Sequence, residues 1–240
     1  GALAIAVTAV SVRTDGRAFI MGRPPPARIA LMLTVRHLTL FLNQAPLFGP
    51  LTFDVAKGDI VTLMGPSGCG KSSLLAWMVG ALTPPLHASG ELWRDEQRLD
   101  VLPTAQRQTG ILFQDALLFD HFTVGQNLLL ALPAGLKGPS RHDAVHHALE
   151  RAGMAGFSSR DPATLSGGQR ARVALLRALL AQPRTLLLDE PFSRLDTDRR
   201  ADFRQWVFDE VRRLDIPVVQ VTHDAQDVPP GGHVLQLSPA

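Results

Sequence analysis

From Met32 onward the chain alternates apolar and polar positions: Leu33-Thr-Val-Arg-His-Leu-Thr-Leu-Phe41, then Leu51-Thr-Phe-Asp-Val55. Strand side chains point alternately to two faces, so both stretches predict half-buried antiparallel strands. Lys57-Gly58-Asp59 reads as a turn, and Ile60-Val-Thr-Leu-Met64 is too continuously apolar to have a wet face, so it predicts a strand buried on both sides. A Gly-rich loop follows, then a helix from Lys71 to about Gly80. Thr83-Pro84-Pro85 breaks the chain, Gly90-Glu-Leu-Trp93 begins another strand, and residues 109–113 predict a short buried strand ending at Gln114. From Asp115 to about Leu180 the period becomes helical, with helices over residues 124–132, 141–152 and 166–180. Strands resume at residues 185–188 and 218–221, separated by a helix over about 198–214 that Ile216-Pro217 closes, and residues 233–237 suit a last strand. The pattern predicts an α/β fold: a mainly parallel sheet, an antiparallel β subdomain, and a helical subdomain inserted at about 115–180.

Three motifs add chemistry. Gly65-Pro66-Ser67-Gly68-Cys69-Gly70-Lys71-Ser72 fits G-x-x-x-x-G-K-[ST] in its required setting, between a buried strand and a helix. Its glycines let backbone N–H groups converge on a phosphate, beside the positive end of a helix. Lys71 supplies a charge for the β- and γ-phosphates and Ser72 a hydroxyl for Mg²⁺. Downstream, Leu186-Leu187-Leu188 carries Asp189 and Glu190 to the C-terminal end of a strand, where ligands sit in open α/β sheets. Asp189 suits Mg²⁺, and Glu190 a general base toward water. The third motif, Leu165-Ser166-Gly167-Gly168-Gln169, opens a helix whose glycines admit a phosphate close to the backbone.

With these three motifs in this order, the chain resembles the nucleotide-binding subunit of ABC transporters, over about residues 32–237, and most closely the compact bacterial importer ATPases such as those for thiamine, iron, polyamines or sulfate. The resemblance implies an ATPase of P-loop fold using ATP and Mg²⁺. Residues 65–72 with Ser73 would hold the phosphates, and Ser72, Gln114 and Asp189 the metal. Gln114 falls where the family's Q-loop glutamine lies, Ser193-Arg194-Leu195-Asp196 where its D-loop lies, and His223 where its switch histidine lies, next to the γ-phosphate. Lys71, Gln114, Glu190 and His223 would carry catalysis. The resemblance further implies two copies, or a paired cassette, packed head to tail, so that Ser166, Gly167, Gly168 and Gln169 of one meet the nucleotide of the other. An integral-membrane permease would dock near Gln114, with a periplasmic substrate-binding protein as a further partner of an importer. That puts the chain peripherally at the cytoplasmic face of the inner membrane. Ala116-Leu-Leu-Phe119 with Phe122 reads equally as docking surface or as core. The chain contains no Tyr, where this family commonly stacks an aromatic ring on adenine. Phe41 is the aromatic candidate, while Leu42 is the other position that fits the alignment.

Composition narrows this further. The 240 residues suit one large α/β domain, residues 32–240. Residues 1–31 run into Pro24-Pro25-Pro26 and lack an initiator Met, so they read as a disordered extension or as the remnant of an upstream segment. Lys+Arg at 24 and Asp+Glu at 22 are nearly balanced, with no dense basic run, which argues against a nucleic-acid partner. The single Cys69 excludes an internal disulfide and reads as a small loop filler. No stretch reaches the roughly 20 apolar residues of a membrane span, so a membrane role requires a partner. The alternative is a soluble ABC ATPase serving translation, DNA maintenance or iron–sulfur assembly. The usual marks of such proteins, tandem cassettes or long coiled coils, are not seen in this sequence.

Overall fold

The computed structural model describes residues 8–12, 18–20, 32–66 and 68–238. In chain order the strands are β1 (Thr8–Val12), β2 (Ala18–Ile20), β3 (Met32–Leu42), β4 (Ala45–Ala56), β5 (Ile60–Met64), β6 (Leu86–Arg94), β7 (Gln97–Arg98), β8 (Thr109–Leu112), β9 (Thr185–Asp189), β10 (Val218–Thr222) and β11 (His233–Gln236). The helices are α1 (Lys71–Val79), α2 (Val124–Leu129), α3 (Pro139–Arg151), α4 (Gly167–Leu180) and α5 (Thr197–Leu214).

Two sheets form. One has seven strands in the order β2-β1-β11-β5-β10-β9-β8, and the other four in the order β4-β3-β6-β7. In the first, β11, β5, β10, β9 and β8 run parallel, each beside the next. Their continuous apolar runs follow from burial on both faces. Along β9, Leu186 and Leu188 enter one core with α2, α3, α4 and α5, while Leu187 enters a second core with α1 and the antiparallel sheet. The sheet is therefore the wall between two cores, and only its strand ends are free to present chemistry.

The antiparallel sheet keeps the predicted alternation with one phase change. Leu33 and Val35 face the core, and so do Leu38 and Leu40. The register shifts between Val35 and Leu38, and His37 takes a left-handed φ of 51°. A bulge adds one residue to the strand and restores the buried face. Opposite it, a side chain at Gly90 (φ 141°) would lie 2.7 Å from the Leu38 Cα, so glycine is required there.

All regular structure between β8 and β9 is helical, in line with the period change at Asp115. β1 and β2 fall within residues 1–31, where the sequence anticipates an extension. The backbone of β1 continues the parallel sheet beyond β11, pairing Thr8 with His233 and Ala9 with Val234. The rest of that extension lies outside the described residues.

Candidate functional site

The phosphate loop links β5 to α1 under the antiparallel sheet. Gly70 precedes α1 with φ 100°, and a side chain there would meet Leu40 Cδ2 at 2.8 Å and Phe48 Cε1 at 3.0 Å. Only glycine lets the loop pass this close beneath the second sheet. Lys71 is buried, and its Nζ donates to the carbonyls of Gly65 (2.5 Å) and Pro66 (3.1 Å), so the ammonium is held across the loop's own mouth. Cys69 is buried, with its Sγ packed against Gly65, as suits a loop filler. Ser67 lies outside the described residues.

The neighbouring strand ends bring the carboxylates to this loop. Ser72 Oγ donates to Asp189 Oδ1 at 3.1 Å, across 117 residues of sequence. Burial pushes the Asp189 carboxyl above its ordinary range and the nearby Glu190 charge adds to this, while the Ser72 hydrogen bond and Lys71 oppose it. A hydroxyl beside a carboxylate is a hard-oxygen pair that fits Mg²⁺. Gln114 Nε2 donates to Ser193 Oγ (3.1 Å), leaving its amide oxygen as the acceptor available to a cation.

Glu190 leaves β9 with a left-handed φ of 46°, a conformation that costs a non-glycine residue about 1–2 kcal/mol. Its N–H donates to Val221 O on β10 (3.0 Å), and its carboxylate meets His223 Nδ1 at 2.8 and 3.0 Å. The strained turn brings the Glu190 carboxylate to the histidine at the end of β10. The Glu190 side chain is 13% exposed and that of His223 is 56% exposed. The imidazole therefore forms the outer cover of a nearly enclosed carboxylate.

Lys71, Ser72, Ser73, Gln114, Glu190 and His223 line a cavity of about 520 Å³. Leu42, Leu47 and Leu86 line it as well, forming an aliphatic wall. Phe41 is not among the lining residues; its ring stacks on His87 (4.9 Å between centroids, 7° between planes). Of the two adjacent positions, the structure brings Leu42 to the cavity.

Ser166, Gly168 and Gln169 line a different cavity, of about 430 Å³, with Arg172 and Arg199, and the two cavities share no residue. Ser166 caps α4 in a local box: its Oγ accepts from Gln169 N (3.2 Å) and its N–H donates to Gln169 Oε1 (2.9 Å). Side chains added at Gly167 or Gly168 would meet nothing closer than Leu195 Cδ2, at 4.0 and 3.7 Å, so this helix tip is open. Asp196 caps α5 and accepts from Arg199 N (3.1 Å).

The segment after Gln114 divides between the two roles the sequence left open. Leu118 is buried and Ala116 packs on the core, whereas Leu117, Phe119 and Phe122 are exposed. Buried Asn127 holds this loop, accepting from Phe119 N (2.8 Å) and donating to the carbonyls of Phe119 and Thr123. Arg177 lies over the Phe119 ring and donates to Leu117 O. The apolar face is thus a fixed surface.

Sequence reading left Leu42 open beside Phe41, and it missed the cluster of Arg200, Arg204, Asp224 and Asp227 behind His223. The spacing of the two arginines on α5 was a signal, but their carboxylate partners lie 23 to 27 residues away.

The family described as ABC transporter matches residues 48–193. The chain is 68% identical over 207 residues to the uncharacterized ABC transporter ATP-binding protein YnjD of Escherichia coli, covering 86% of this chain and 95% of that one. It is 40% identical to the sulfate/thiosulfate import ATP-binding protein CysA of Gloeobacter violaceus (74% and 51% covered). It is 36% identical to the Fe(3+) ions import ATP-binding protein FbpC 2 of Haemophilus influenzae (82% and 56% covered). The chain thus spans about half the length of these last two relatives. Among solved structures, cbiO1 from Clostridium perfringens, part of the ABC transporter complex cbiONQ, superposes with a TM-score of 0.76 at 26% identity, covering 88% of this chain and 86% of that one.

Proposed function

Since the chain belongs to the ABC transporter family as an ATP-binding, ATP-hydrolysing subunit, we propose that two copies close head to tail around two Mg·ATP and drive a membrane permease. The observation that carries this reading is the division of the site. The phosphate loop and the Ser166 helix tip line separate cavities with no common residue, so one chain holds two half-sites. An isologous dimer completes both at once.

Within each site, Lys71 exchanges the carbonyls of Gly65 and Pro66 for β- and γ-phosphate oxygens as the nucleotide enters. The loop's backbone N–H groups, Ser67 and Ser73 complete the cradle. Ser72, Asp189 and Gln114 would hold Mg²⁺, which would supply positive charge to the phosphates. Glu190 accepts the proton of the attacking water, and His223 keeps the carboxylate oriented and covers the γ-phosphate side. Leu42, Leu47 and Leu86 pack on the base, and Phe41 supports that wall through its neighbour. Across the dimer, Ser166, Gly167, Gly168 and Gln169 present the positive end of α4 to the γ-phosphate, with Asp196 beside the seam.

In this reading residues 32–240 are the ATPase domain and 115–180 its helical subdomain, with 1–31 an extension to it. No helix among the described residues is long and apolar enough to cross a membrane. The exposed Leu117, Phe119 and Phe122 form the face on which the permease docks, and the chain is held peripherally at the cytoplasmic face of the cell membrane. The likeness to importer subunits supports import, with a periplasmic binding protein as a further partner. It also favours transport over the soluble alternative.

Mixing two inactive variants tests the shared site. Lys71→Ala disables every phosphate loop and Gly168→Asp every helix tip, so each homodimer should be inactive. A mixed dimer contains one intact pair, and equal mixing should restore about a quarter of normal turnover. If the mixture stays inactive while both variants remain folded, the shared site is wrong.

A further inference from the structure

His223 is exposed and sits at the start of a loop, so packing alone does not fix its approach to Glu190. The loop itself is held from behind by α5. Asp227 is 2% exposed, and its carboxylate accepts from Arg200 Nε (3.0 Å), Arg200 Nη2 and Arg204 Nη1 (3.0 Å), with Thr222 Oγ1 at 3.4 Å. Its carbonyl accepts from Gln220 Nε2 (2.7 Å). Asp224, next to His223, takes Arg200 Nη2 (3.1 Å) on one oxygen and Gln226 N (2.9 Å) on the other. Arg200 therefore grips the first part of the loop at two points, through two carboxylates three residues apart.

The same helix begins beside the other half of the catalytic pair. Asp196, Arg200 and Arg204 lie at i, i+4 and i+8, one stripe along α5, and Asp196 is its N-cap. Glu190 is six residues before that cap, and the intervening turn is braced by Ser193 Oγ donating to Glu190 O (3.1 Å). The contacts close into a ring: Glu190, the turn to Asp196, the α5 stripe, the loop carboxylates, His223, and Glu190 again.

We propose that Arg200, with Asp227 and Arg204, is a positioning device that sets His223 against Glu190, and that it transmits the position of the α5 tip, at the dimer seam, to the catalytic pair. This rests on the ATPase reading above. Any shift of the Asp196 end during closure carries the His223 loop with it through a fork of two guanidinium groups. None of the three residues lines the cavity of Lys71 and Glu190, so removing their grip should slow the chemical step without weakening nucleotide binding.

The test uses the full chain. Asp227→Asn leaves two guanidiniums without their carboxylate and risks the fold, so Arg200→Lys is the main variant; it keeps the charge but loses the planar fork. Two readouts are taken, steady-state ATP hydrolysis and the ¹⁵N imidazole resonances of His223, assigned by difference with His223→Gln. Arg200→Lys should lower kcat by about tenfold while KM for ATP stays within about twofold, and the His223 resonance should move toward its position in Glu190→Gln. Arg204→Gln, which leaves the Arg200 pair intact, should show the same changes more weakly. An unshifted His223 resonance in Arg200→Lys overturns the proposal, whether kcat is unchanged or falls only in step with melting temperature. Should the wild-type chain fail to hydrolyse ATP, the ATPase reading is at fault, and the resonance still decides the clamp.

Discussion

The phosphate-loop half of the site and the Ser166 half draw their order from very different distances along the chain. The first is assembled from remote pieces: Ser72 to Asp189 spans 117 residues, Gln114 to Ser193 spans 79, and Glu190 to His223 spans 33. The second is a capping box closed within three residues, Ser166 to Gln169, at an open helix tip. The contrast teaches what each half needs. The first depends on the sheet to bring strand ends together, and once assembled it is braced and partly strained. The second folds wherever α4 folds, and in the proposed dimer it would act on the nucleotide held by a second chain.

The largest expected effect separates chemistry from assembly. Glu190→Gln should lower turnover by about 10²–10⁴-fold, the range for losing a general base, while ATP-bound dimers persist in light scattering. Turnover near normal would remove Glu190 from the proton-transfer role. Next, the halves should respond differently to nucleotide binding by the monomer. Lys71→Ala should weaken ATP affinity by about tenfold or more, since a charge-assisted hydrogen bond contributes about 1.5–3 kcal/mol. Ser166→Ala should leave monomer affinity unchanged, lower turnover, and cost about 1 kcal/mol of stability through the lost cap. Equal affinity losses in titration calorimetry would break the distinction between halves.

A smaller effect concerns the braced half alone. Burial, with Glu190 nearby, raises the Asp189 carboxyl in the nucleotide-free chain. A carboxyl raised on folding favours the folded state while protonated, and that contribution disappears as pH rises through its folded pKa. The nucleotide-free chain should therefore lose this stabilisation on going from acid toward neutral pH. Asp189→Asn should raise the melting temperature at neutral pH and flatten that dependence, while removing Mg²⁺-dependent turnover. A lower melting temperature at neutral pH would contradict the assignment. The smallest effect lies at the aliphatic wall. Leu42→Ala should weaken ATP binding by about fivefold, from roughly 1 kcal/mol of lost apolar burial, and Phe41→Ala by less. The reverse order would put the ring of Phe41 against the base.

Much of this is legible in the sequence. The alternation from Met32, the continuous apolar run of Ile60 to Met64 and the helical period after Asp115 each report which faces are buried, and burial is what selects the element. The bulge at His37 was visible only as Val35 and Leu38 being three apart, a defect in an otherwise regular pattern. The Leu117 to Phe122 segment was ambiguous for a physical reason: apolar residues mark a core and a docking face alike. Only the packing of Asn127 and Arg177 shows which of them turn outward. The choice of Leu42 over Phe41 was likewise beyond composition, because adjacent strand residues face opposite ways and the bulge resets their phase.

By itself the sequence determined the elements and the local chemistry: a glycine loop before a helix, a carboxylate pair at a strand end, and a capped helix tip. These are short-range matters, decided by period, backbone freedom and hydrogen bonds a few residues apart. The tertiary structure alone decided which groups meet: Ser72 with Asp189, Glu190 with His223, and Arg200 with both Asp224 and Asp227. Those pairings follow from strand order in the parallel sheet, which is set by burying two cores at once and leaves no periodic trace in the chain.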